Sequence, residues 1–174
     1  CHNAVDRHLK TRADQPALVA ISTETDTERS YSFAELHAEV QRMAATLQGL
    51  GVKKGDRVLI YMPMIAEAAF AMLACVRIGA LHSVVFGGFA SGSLASRIED
   101  AEPIALSAHK PAAVLMVNRG LAPMDWQAGR DHDWASLREQ HLNASVPCEW
   151  VESTHPSYTL YTSGTTGKPK GVQR

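Results

Sequence analysis

Three cysteines in 174 residues, Cys1, Cys75 and Cys148, are too few and too scattered for a disulfide framework. No CxxC pair is present, so a thiolate metal site is not expected, and no other metal-binding residues are either. The eight histidines form neither an HExxH motif nor an i,i+4 pair. Basic excess is lacking as well: 17 Lys/Arg against 18 Asp/Glu leave a formal charge of −1, with no long basic run. Nucleic acid is therefore not expected as a partner. The longest apolar stretch, Ala68–Val76, is bounded by Glu67 and Arg77 and is too short to span a bilayer. The opening CHNAVDRHLK carries no apolar leader. These absences point to a small-molecule protein, without membrane attachment, in a reducing cytoplasmic setting. The oligomeric state is left open.

What is present describes a globular α/β chain, 45% hydrophobic and 20% charged. CHNAVDRHLKTR can form a short amphipathic helix on Ala4, Val5 and Leu9. PALVAIS and RSYSF bracket a polar turn and read as a hairpin. Ser32 and Glu35 match the S-x-x-E capping box, and Leu36, Val40, Met43, Leu47 and Leu50 recur at helical spacing up to Gly51. A buried strand, Arg57 to Met62, a helix from Ile65 to Ile78 stopped by Gly79, and the strand ALHSVVF make a βαβ unit. Ligands of such sheets gather beyond the strand C-termini, where Phe86, Gly87 and Gly88 lie. Cys75 reads as a buried core thiol. Two helical pieces follow, Leu94 to Asp100 and IALSAHKP, with no strand between them, where an alternating chain should have one. AAVLMVN and SYTLYTS read as further strands, and Asp133 can cap WASLREQH.

The last strand feeds YTSGTTGKPKGV, Tyr161–Val172. Its glycines let main-chain N–H groups approach a ligand, its hydroxyls donate to oxyanions, and its lysines bring mobile charge. Composition alone leaves a phosphate cradle and a plain polar loop equally open. The G-x-x-x-x-G-K-[ST] loop is excluded, because Thr162 stands five positions before Gly167 and Pro169 follows Lys168. FGGFASG fails G-x-G-x-x-G at Phe89. What remains is a hydroxyl-rich hairpin loop, with a strand starting at Gly171 after it. An anion there must be held by loop N–H groups, hydroxyls and lysine, in a flap able to close over a triphosphate.

YTSGTTGKPKGV resembles the signature phosphate loop of the adenylate-forming superfamily, and VLIYMPMIAEAAFAMLACVRIGALHSVVFGGFA is similar to its short-chain acyl-CoA synthetases. CHNAVDRHL and GVQR look most like the propionate–CoA ligases, with the acetate–CoA ligases next. The resemblance implies a partial N-terminal AMP-binding domain over 1–174, whose substrates are a small carboxylate, Mg2+-bound ATP and coenzyme A. It implies that Thr162, Ser163, Gly164, Thr165, Thr166 and Gly167 wrap the β- and γ-phosphates, and that Lys168 and Lys170 neutralise them. Phe86, Gly87 and Gly88 are implied to border the coenzyme A nucleotide. Tyr161 is expected to support the loop from its strand. Arg77, His82 and Arg97 are expected at strand edges or helix surfaces, and Trp126, Trp134 and Trp150 at the domain edge.

The chain also departs from that pattern. The relatives carry an extra strand and a glycine-rich basic loop between the positions of Pro103 and Ile104, and neither is present. A deletion there is expected to leave a gap in the sheet and a poorly folding product. The later motifs of the family, the adenylation lysine of its C-terminal domain among them, are expected beyond Arg174. No catalytic residue is thus expected within the chain, and the isolated piece should not turn over. A non-catalytic nucleotide-binding fragment and an adenylating enzyme of another kind remain as alternatives. HSVVFGGFA, without proline, speaks against the second.

Overall fold

The structure, a computed structural model, describes residues 1–86, 112–163 and 169–174, the side chains of Phe86, Thr162, Ser163, Pro169 and Lys170 excepted. The N-terminal segment forms a 3-10 turn, Asp6–His8, running into a four-residue helix α1, Leu9–Arg12. Strands β1, Pro16–Ser22, and β2, Thr27–Ser32, pair antiparallel as the predicted hairpin.

Helix α2 spans Phe33–Gly49 and starts in the full capping box. The Ser32 hydroxyl accepts from Glu35 N–H at 3.2 Å, and Ser32 N–H donates to the Glu35 carboxylate at 2.8 Å. Strand β3, Arg57–Met62, leads into α3, Ala66–Ile78, which ends where Gly79 takes up φ 72°. Strand β4, Leu81–Phe86, returns parallel to β3, in register from Arg57–Leu81 to Met62–Phe86. This is the expected βαβ unit. A second parallel pair joins β5, Val114–Met116, to β6, Asp131–Asp133. Asp133 then caps α4, Trp134–Gln140, its carboxylate accepting from Ser136 N–H at 2.8 Å.

The core lies between α2, α3 and the β3–β4 pair. Val40, Met43, Ala44, Ala74 and Cys75 are fully buried. Burial pushes the Cys75 thiol up to about 12, as an inert core thiol requires. Trp134 joins this core, but Trp126 and Trp150 are 46% and 72% exposed. The Trp150 ring lies against that of His2, their centroids 5.2 Å apart. Among the described residues, no helix is long and apolar enough to cross a membrane.

Candidate functional site

The two segments expected to hold ligand are carried by neighbouring strands. Strands β7, Thr159–Ser163, and β8, Pro169–Gln173, form an antiparallel hairpin, with Thr162 opposite Lys170 and Ser163 opposite Pro169. The second strand thus starts two residues earlier than expected from the sequence, because Pro169 and Lys170 complete the ladder. The backbone places Thr162, Ser163 and Lys170 at the mouth of this hairpin. Gly164, Thr165, Thr166, Gly167 and Lys168, which close it, lie outside the described residues.

Strand β4 lies beside β7. His82 and Tyr158 form a parallel bridge, and His82 N–H donates to Ser157 C=O at 3.1 Å. Phe86 stands four residues beyond His82, and Thr162 four beyond Tyr158. At the rise of a strand, both chains have then advanced about 13 Å in the same direction. The exit of β4 at Phe86 and the mouth of the β7–β8 hairpin therefore share one edge, the C-terminal edge of the parallel strands, where such sheets bind ligands. Gly87 and Gly88 continue from that edge, outside the described residues.

His82 is not at a sheet edge. It sits between β3 and β7, 9% exposed, with its ring centroid 6.0 Å from that of Tyr158. Burial holds its pKa below the usual histidine range, against the raising effect of Ser157, so the ring is neutral. Its Nδ1, like the Ser83 hydroxyl, has no partner among the described residues. The one sequence signal for this placement is that His82 falls inside the apolar strand run ALHSVVF.

Arg77 is also misplaced by the sequence reading. It is 1% exposed, not on a helix surface. Its guanidinium donates to Val146 C=O at 2.9 Å and to the Asp6 carboxylate. Arg97 lies outside the described residues, as do both helical pieces around Pro103. Another charged cluster joins α2 to α4: Glu39, nearly buried, accepts from Arg42 at 2.6 Å and from Arg138 at 2.8 Å. It borders a cleft of about 280 Å³ lined also by Arg29, Tyr31, Glu67 and Asn118. None of these belongs to the two expected segments.

Comparison with known proteins gives a consistent answer. The family described as AMP-binding enzyme matches residues 5–174. A propionate–CoA ligase of Salmonella typhimurium is 55% identical over 199 aligned positions, covering 100% of this chain and 32% of that protein. An acetyl-coenzyme A synthetase of Alcanivorax borkumensis is 46% identical, over 99% of this chain and 30% of its own length. Among solved structures, an acetoacetyl-CoA synthetase from Streptomyces lividans superposes with a TM-score of 0.83 at 29% identity, covering 98% of this chain and 29% of that one. The chain thus spans about a third of the length of the curated relatives it matches. The order of the relatives, propionate ahead of acetate, is the order the sequence resemblance implies.

Proposed function

The chain belongs to the AMP-binding enzyme family, and on that premise we propose that it is a piece of an ATP-dependent ligase joining a short-chain carboxylate, propionate, to coenzyme A. In the first half-reaction a carboxylate oxygen attacks the α-phosphorus of Mg2+-bound ATP. The bond to the leaving pyrophosphate breaks and an acyl-adenylate forms. In the second, the coenzyme A thiol, losing its proton, attacks the acyl carbon and displaces AMP. Chemistry of this kind is achieved mainly by positioning and charge neutralisation.

The observation that carries this reading is the shared edge of β4 and the β7–β8 hairpin. It supports a division of labour between two neighbouring loops. Thr162, Ser163, Gly164, Thr165, Thr166 and Gly167 supply hydroxyl and N–H donors to the β- and γ-phosphates, and Lys168 and Lys170 supply charge. Phe86, Gly87 and Gly88 line the approach of coenzyme A.

The 174-residue chain alone does not complete the reaction, because it carries the phosphate loop and little else of the active centre. Its alignment with the Salmonella relative needs 199 positions for 174 residues. That supports a missing strand and basic loop between Pro103 and Ile104. The setting is cytoplasmic; the free thiols support a reducing compartment.

The test is product analysis with the full-length protein. Propionate, ATP and coenzyme A should give propionyl-CoA, AMP and pyrophosphate in equal amounts. Release of ADP and phosphate without thioester would reject the assignment. Acetate–CoA ligation is the second reading, favoured by the 46% identical relative, since one methylene in an apolar pocket is worth only about 1–3 kcal/mol. A higher kcat/KM for acetate would select it.

A further inference from the structure

Two cysteines 147 positions apart in the chain meet in space at a carboxylate. The thiols of Cys1 and Cys148 and the carboxylate of Asp6 all lie within 4.8 Å of one another. The Cys148 thiol donates to Asp6 Oδ2 at 3.1 Å. His2 Nδ1 stands 4.0 Å from that same oxygen. With Zn–S about 2.3 Å and Zn–O about 2.1 Å, the ligand atoms of a tetrahedral zinc ion are separated by roughly 3.5–3.8 Å. The observed separations bracket that range, so small side-chain rotations suffice. We propose that Cys1, Asp6 and Cys148 form a site for one zinc-class cation, with His2 within reach as fourth ligand.

The frame around these residues is fixed on both sides. Val5, 1% exposed, pins the N-terminal turn, in which Ala4 and Val5 N–H both donate to Cys1 C=O at 3.0 Å. Cys148 is flanked by two anchors: Val146 N–H donates to Gln41 Oε1 at 2.5 Å, and Glu149 N–H to Arg77 C=O at 2.7 Å. Ligand atoms held by such a frame lose little entropy on binding metal. Charge also balances. Two thiolates and a carboxylate carry three negative charges, against the dication and the Arg77 guanidinium, which keeps Asp6 Oδ1 while the metal takes Oδ2. The three ligand residues are half-buried, so an ion can enter, and both thiol protons leave to solvent as it does. The missing CxxC motif hid this site: its cysteines converge only through the fold.

The experiment is titration of Co2+ into the reduced full chain, kept reduced with a phosphine so that no added thiol competes. Saturation at one equivalent is expected, with the intense bands of tetrahedral cobalt and a thiolate-to-cobalt charge-transfer band, both abolished by Zn2+. That band should weaken in Cys1→Ser and in Cys148→Ser, and vanish in the double variant, while Cys75→Ala retains it. Cys1→Ser leaves the Arg77–Asp6 pair untouched, so its circular dichroism should equal wild type. Weak octahedral cobalt spectra, or a band that survives the double variant, would overturn the site.

Discussion

Arg77, in the last turn of α3, donates to Asp6 in the N-terminal turn, closing two segments 71 residues apart on one buried charge. Burial disfavours the Asp6 carboxylate, but the Cys148 thiol and the Arg77 guanidinium outweigh it and hold its pKa below the ordinary range. Removing one partner of such a pair leaves the other uncompensated. Arg77→Met should therefore destabilise the fold by about 3–5 kcal/mol, read as a lower urea midpoint. Arg77→Met/Asp6→Leu should recover part of that loss, because no buried charge remains.

Acid should weaken the fold in two stages. His82 is buried and His37 half-buried, and desolvation holds both below the usual histidine range, His37 also by the Arg77 charge and against the pull of Asp6. The unfolded chain takes up these protons first, so their contribution is complete above about pH 6.5 and is lost as pH falls through the depressed folded values. Glu39 follows. Burial raises its pKa, but Arg138 and Arg42 together hold it below the carboxylate range. Its contribution is present above the unfolded carboxylate value and is lost at lower pH still. Urea midpoints measured from pH 8 to pH 3 should show both declines, and Glu39→Gln should flatten the second.

Gly79 ends α3 at φ 72°, and a Cβ there would lie 3.1 Å from the Cγ atoms of both Lys54 and Glu149. Those two side chains form an ion pair at 2.8 Å. Gly79→Ala should cost about 1–2 kcal/mol from the left-handed backbone, with the ion pair displaced besides. Gly55→Ala, at φ 85° with nothing within 4 Å, should show the backbone cost alone. The difference in urea midpoint between the two variants measures the crowding.

Much of this fold was legible in the sequence because its signals are local. Ser32 and Glu35 announced α2, Gly79 announced the end of α3, and apolar runs announced β3 and β4. The hairpin flanking residues 164–168 was legible too, with its second strand beginning two residues before the expected Gly171. What failed depends on distant partners. Arg77 reads as the polar end of an apolar stripe until Asp6 and Val146 are brought to it. His82 reads as an edge residue until β7 docks beside β4. The three residues Asp131–Asp133 carry no strand pattern, and their pairing with β5 is set by the fold around them. The Cys1–Cys148 meeting is invisible at any sequence spacing.

The two neighbouring loops should separate kinetically in the full-length protein. Lys168→Ala should lower acid-dependent ATP–pyrophosphate exchange about a hundredfold, since a positive charge on the departing β- and γ-phosphates is lost. Gly88→Val should leave that exchange intact while raising the KM for coenzyme A at least about tenfold, roughly 1.4 kcal/mol of lost approach. Equal effects of both variants on exchange would contradict the division of labour.

The central claim, that this hairpin grips the triphosphate of ATP while an acid is adenylated, is tested most directly by exchange of labelled pyrophosphate into ATP. The full-length protein is assayed with acetate, propionate and butyrate supplied separately and no coenzyme A. Exchange that requires an acid and is fastest with propionate is the predicted result. Exchange that is independent of acid, or absent with all three, would contradict it.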